Sequence, residues 1–529
     1  MGKRFQLLTR SCARPSKRTM RLIRCIVISL FLLSPDGVYA ADETHRLHFE
    51  VNDEQENPLP CRIHLFDQQG RAQRADGQPF WRHHFVCDGR VTLDLEPGKY
   101  RYAVERGPEY EQASETLTLG PDGDHKVAIS LHRLAELRKR GWYCADLHVH
   151  RPVSEMEQLM TAEDLDFAPV ITWWNNRNLW SDRSIPQNLL KKFDGHRLYH
   201  VMAGEDEREG GALMYFGMSS PLDITKASRE VPSPLQFVAQ ARQRNPDVWI
   251  DIEKPFWWDV PVWLASGQAQ SIGIANNHMC WAEMLPNEAW GKPRDAQRLP
   301  DPLGNGYWTQ EIYYHILNSG LRLPPSAGSA SGVLPNPVGY NRVYVHLEKP
   351  FTRDAWWEGL RNGCCFVTNG PLLLCNANGQ LPGNVLTAPA GDTLDVKIAV
   401  ELIRRDTVKH LEVIRNGKVV HTLACDDKPT QQLTTKLSFS EPGWFLIRAI
   451  AENDQTFRFA STGPFYVEIG RDNHHISRTS VEFFQQWVDQ RIKRVEDNVS
   501  ESQQAAEVLK YHESAREFWQ QRFEMANAN

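Results

Sequence analysis

The stretch Gly141-Trp142-Tyr143-Cys144-Ala145-Asp146-Leu147-His148-Val149-His150 decides how the chain is read. Tyr143, Leu147 and Val149 favour an extended strand, in which alternate side chains share a face. His148 and His150 therefore point the same way, close enough to grip one metal ion. Arg151-Pro152 stops the strand and leaves both histidines near its C-terminal end, where α/β folds gather their active sites.

The pattern on either side divides the chain. Between residues 136 and 385, apolar segments at 168–172, 198–203, 212–217, 248–252, 271–275 and 341–347 read as strands. They alternate with helical segments at 155–164, 234–244 and 310–319, which predicts a parallel sheet or an irregular α/β barrel. Upstream, residues 41–135 alternate in short strands, with Leu47, Phe49 and Val51, then Cys61, Ile63 and Leu65, then Val91, Leu93 and Leu95 on one face each. Turn signals such as Asp88-Gly89 and Pro97-Gly98 separate them, the mark of a β-sandwich. Its His83 and His84 have nothing nearby in sequence to suggest catalysis. Residues 131–140 read as a short helical linker. Residues 386–470 are again all-β, with Asn416-Gly417 marking a hairpin. In the tail, 471–529, Val481, Phe484, Trp487, Val488, Ile492 and Val495 recur at helical spacing, which predicts a helical hairpin packed on the body. The expected class is therefore multidomain: an α/β barrel flanked by two all-β sandwiches and a helical tail.

Composition narrows the function. Residues 1–40 combine Arg18, Arg21 and Arg24, an apolar run from Ile26 to Leu33, and a small residue, Ala40, before Ala41. This is the pattern of a cleaved export signal, so the protein is expected to be periplasmic or secreted, with no membrane span after cleavage. These 40 residues hold eight of the 60 Lys/Arg and one of the 66 Asp/Glu, so the rest carries a net charge of about −13. Nucleic acid is not an expected partner of such a surface. The eight cysteines outside the signal show no zinc-knuckle spacing, and Cys61 and Cys87 are placed to pair in an oxidising compartment. No G-x-S-x-G, P-loop or dinucleotide fingerprint is present.

Asp146-Leu147-His148-Val149-His150 at the head of an α/β region resembles the first motif of the PHP (polymerase and histidinol phosphatase) superfamily. Phe366-Val367-Thr368-Asn369-Gly370-Pro371-Leu372, with Asn378-Gly379 and Pro382-Gly383 after it, resembles more narrowly the carbaryl-hydrolase-like (CehA/McbA) metallohydrolases. Leu93 to Val104 resembles a segment of carboxypeptidase-regulatory-like domains, which are accessory modules. The first two resemblances imply a distorted (β/α)7 barrel with divalent metal at the C-terminal ends of its strands, and hydrolysis by activated water. Carried over by position, they imply His148, His150, Glu205 and His278 as ligands of one ion, zinc or else manganese or iron.

Other positions depart from the family. Thr172-Trp173-Trp174-Asn175 stands where Thr-Asp-His is usual, Lys254-Pro255 replaces His-Pro, and Ala330 and Gly332 occupy expected ligand positions. Lys254 and Glu207 are then candidate catalytic groups, although Lys254 reads equally well as an ion-pair partner of Glu253, Asp251 or Glu205. Trp173, Trp174, Asn175, Arg208, Trp257, Trp258 and Asn277 are candidates for contacting a small-molecule or carbohydrate-like substrate. Two functions are in play: a metal-dependent hydrolase of ester, amide or phosphoester bonds, and a degenerate barrel that binds carbohydrate or an envelope ligand through its tryptophans.

Overall fold

The computed structural model describes residues 45–529 apart from 121–122 and 471–473, so the expected export signal at 1–40 lies outside the described residues. The fold is mixed α/β and dominated by strands. In the N-terminal region the strand His45–Asn52 lies between Arg90–Leu95 and His125–Ser130. A second sheet places Cys61–Asp67 between His84–Cys87 and Gly98–Glu105. Alternation sends Phe49, Val51, Ile63, Leu65, Leu93 and Val104 into one shared core. Cys61 and Cys87 face each other in register as free buried thiols, with sulfurs 3.8 Å apart.

The linker is not the expected helix. Only a single 3₁₀ turn, Leu137–Arg140, forms, and it stops at Gly141 in a left-handed conformation (φ 80°). Tertiary ion pairs override local propensity: Arg133 and Arg138 reach Asp164, and Arg138 also reaches Asp166.

Strand and helix alternate in the central region broadly as read. Phe167–Trp174 runs parallel to Trp142–Ala145 and to Arg197–Arg208. Trp249–Ile252, Ser271–Ala275 and Pro325–Ala327 are likewise parallel neighbours. Gly211–Phe216 departs from this, lying antiparallel to both its partners. Only Glu209 and Gly210 connect it to the preceding strand, a link long enough for a hairpin but too short for a parallel crossover. Leu147 N–H donates to the Ala327 carbonyl, and Val149 bridges Val170 on one side and Ser331 on the other. The pairings thus return to the segment from which they started.

Hydrogen bonding also crosses the boundary expected at residue 385. Cys365–Thr368 pairs with Arg342–His346 and with Phe459–Thr462, while Leu372–Ala377 pairs with Leu394–Ile403. The expected hairpin at Asn416-Gly417 is present, joining His410–Arg415 to Lys418–Ala424.

The tail forms the helices Arg478–Asn498 and Ser502–Glu524. Phe484 stacks on Trp519, whose indole donates to the Pro261 carbonyl. Arg491, 1 % exposed, forks onto both oxygens of Glu230 and reaches Asp259, which His512 also contacts. Arg491→Lys keeps the charge but cannot make the fork, so a loss of about 1–3 kcal/mol is expected. Limited proteolysis of the tail checks this, and an unchanged digestion rate would count against it. No helix among the described residues is long and apolar enough to cross a membrane.

Candidate metal centre

His148 and His150 lie just beyond the strand Trp142–Ala145, where backbone bonds on both sides hold the chain extended. Asp146 fixes the entry: its carboxylate accepts from the backbone N–H groups of His148, Ser329 and Gly339. Gly328 packs against His148 so closely that a Cβ there would lie 2.4 Å from the His148 Cβ. Glu205 comes from the neighbouring strand Arg197–Arg208, after Gly204, where the Trp173 indole fills the space a side chain would need.

Three donor atoms meet. The Nε2 atoms of His148 and His150 are 2.9 Å apart, and Glu205 Oε2 is 3.5 Å from the first and 3.2 Å from the second. Ligands about 2.0–2.1 Å from a tetrahedral ion stand roughly 3.3 Å from one another, so this triangle has the edges of such a site with one corner open. All three side chains are buried. His150 Nδ1 is enclosed without a hydrogen-bond partner, so the ring's only close polar contacts are on the side facing the cluster.

Glu253, which the ligand reading left out, completes the arrangement. Its Oε1 lies 3.3 Å from His148 Nδ1, and its Oε2 takes Lys254 Nζ and the Trp257 indole N–H. A carboxylate behind a ligand histidine sets its orientation and basicity. Glu253→Gln, which keeps the shape, is expected to weaken ion affinity about 10–100-fold. Zinc titration of the purified variant checks this, and unchanged affinity would remove Glu253 from the site.

Electrostatics follow from burial. Burial opposes a charge on His148, but Glu205 and Glu253 outweigh it and hold its pKa up at about 10. Burial would raise the Glu205 pKa, yet the two histidines hold it well below the carboxylate range. His150 falls below its ordinary value because burial wins there. Two buried carboxylates beside His148 favour a cation among them, a role filled by a proton or by a metal ion. Glu207, two residues along the strand from Glu205 and so on the same face, is pushed up to about 7 by burial and then by Glu205, with Lys254 acting against the shift.

The other expected residues separate into two groups. Trp174 meets His150 edge-on at 4.7 Å, Asn175 accepts from the Glu207 backbone N–H, and Lys254 lies over the Trp257 ring. Asn277 Oδ1 is buried without a hydrogen-bond partner. The rest have their close partners elsewhere in the chain or are enclosed. His278 stands outside the donor triangle: its Nδ1 contacts the Asn287 carbonyl, Phe256 lies 5.3 Å away, and burial followed by Lys254 depresses its pKa to about 3. Arg208 is committed to both oxygens of Asp206 and to the carbonyls of Ser228 and Pro232. Trp173 and Trp257 are fully buried, and Trp258 lies under Arg494 of the tail. Adjacency in sequence suggested Glu253 only as a partner for Lys254, because its approach to His148 depends on the parallel sheet. Neither a scan against protein-family models nor a search of curated proteins finds a match to this chain.

Proposed function

We propose that the chain is a metal-dependent hydrolase of the PHP kind, acting on an ester, amide or phosphoester of a small molecule. The convergence of His148, His150 and Glu205 on one point, with edges fitting a tetrahedral ion and a carboxylate behind the first histidine, carries this reading. On it, the closed run of strands corresponds to the irregular (β/α)7 barrel of that superfamily, and an export signal at 1–40 would deliver the protein to the periplasm or beyond.

An ion held by the three side chains supplies Lewis acidity and lowers the pKa of water. Glu253 holds His148 in orientation and keeps Lys254 beside the cluster. Lys254 then offers its cation to a substrate oxygen, steadied by the Trp257 face. Glu207, on the same strand face as Glu205, is the group that takes and returns a proton. Trp174, against His150, and Asn175, against the Glu207 backbone, contact the substrate. Burial of Trp173, Trp257 and Trp258 tells against the carbohydrate-binding alternative, since it leaves few free indole faces for a sugar ring.

The test is chelator-stripped protein assayed on chromogenic esters, amides and phosphoesters before and after zinc, manganese or iron is returned. Hydrolysis that appears only with metal supports the proposal. Failure of any ion to bind at this cluster, or hydrolysis indifferent to metal, would overturn it.

A further inference from the structure

We propose that His64, His83 and His84 form a second site for a transition-metal ion, on the N-terminal region and separate from the His148 centre. In the antiparallel pairing of Cys61–Asp67 with His84–Cys87, Ile63 faces Phe85, so the next pair in that register sets His64 opposite His84. Alternation that sends Ile63 into the core turns His64 to the other face. His83 comes from the turn after Phe80–Trp81, where Arg82 adopts φ 52°, and this turn lays its ring over the pair. One ring nitrogen from each histidine then converges on a common point.

His64 Nδ1 is 3.2 Å from His83 Nδ1, which is 3.4 Å from His84 Nδ1. Both separations match the roughly 3.3 Å between neighbouring ligands of a tetrahedral ion. Trp281 stacks flat on His64 at 4.0 Å and closes one side, and its indole is anchored on Glu105. His64 and His84 are buried, while His83 is partly open and gives an ion its way in. Burial, reinforced by the Arg62 charge, depresses all three pKa values and keeps the rings neutral, the form that binds metal. Arg62 Nε donates to His64 Nε2, which leaves the ring's proton on Nδ1. For Nδ1 to ligate an ion, that proton moves to Nε2 and the bond from Arg62 is given up, while the guanidinium keeps its pairs with Glu105 and Glu163. Three imidazoles without a carboxylate suit zinc or copper and give calcium or magnesium no oxygen ligand.

The experiment is zinc uptake by chelator-stripped full-length protein, measured by equilibrium dialysis and elemental analysis. Wild type is expected to bind about two equivalents, while His83→Ala and His148→Ala each bind about one and the double variant almost none. His83 is the ring to remove because it is the partly exposed one, and circular dichroism checks that the variant folds. Copper(II) loaded into His148→Ala should show an electron paramagnetic resonance spectrum with nitrogen ligation that His83→Ala/His148→Ala lacks. Uptake unchanged by His83→Ala, or abolished by His148→Ala alone, overturns the proposal. Uptake lost in His83→Ala but kept in His148→Ala upholds it and counts instead against the His148 centre.

Discussion

Asp164→Asn is expected to lower the stability of the protein by about 3–5 kcal/mol, the usual effect of breaking a buried ionic cluster by removing one partner. Asp164 is 4 % exposed and receives Arg106, Arg133, Arg138 and Arg197. These four come from the N-terminal region, the linker and the central strands, so one carboxylate ties three parts of the chain together. Asn is the informative replacement, because residue 164 has φ 50° and Asn tolerates that left-handed conformation. The change therefore isolates the charge from backbone strain. Burial would raise the Asp164 pKa, but the guanidiniums outweigh it and hold it well below the ordinary range. A depressed folded-state pKa means that the contribution is present above the unfolded-state value, about 3.9, and fades as pH falls below it. Denaturant unfolding at neutral pH should show the loss, and the gap between variant and wild type should narrow in acid. A difference under about 1 kcal/mol at neutral pH would show that the arginines find other acceptors.

His148→Ala is expected to weaken ion binding at the His148 centre more than about 100-fold, beyond the upper end found for partners outside the ligand shell. It removes one Nε2 from the triangle and leaves Glu205 and Glu253 without the ring that contacts both. Metal-dependent hydrolysis should fall with the ion. His278→Ala is the control, because that ring contacts the Asn287 carbonyl and stands outside the donor set, so the variant should keep its ion. The two variants separate the donor atoms that the structure brings together from the ligand set the family resemblance implied. If His278→Ala loses the ion as fully as His148→Ala, the triangle is not the site.

Local periodicity made much of the framework legible. Period-two alternation at Leu47-Phe49-Val51 and at Ile63-Leu65 marked strands, and helical spacing from Val481 to Val495 marked the tail. The segments 234–244 and 271–275 fold as read, because each carries its own period and its own stop signals. The linker at 131–140 failed that reading, since its arginines answer to carboxylates more than twenty residues away.

The same division runs through the candidate sites. The H-x-H pair was readable because strand geometry alone puts alternate side chains on one face, and Glu205 followed from a motif position. The position of His278, the commitment of Arg208 to Asp206 and the burial of Trp257 depend on which strands become neighbours and on where the tail docks. The His64, His83 and His84 cluster was illegible for the same reason: a cross-strand register and one left-handed turn assemble it from residues about twenty apart. By itself the sequence determined most of the strands and helices and the shared face of His148 and His150, because those rest on the short-range period of the backbone. The tertiary structure alone decided which carboxylates, rings and arginines meet, because burial and pairing between distant segments set the distances on which ion binding depends.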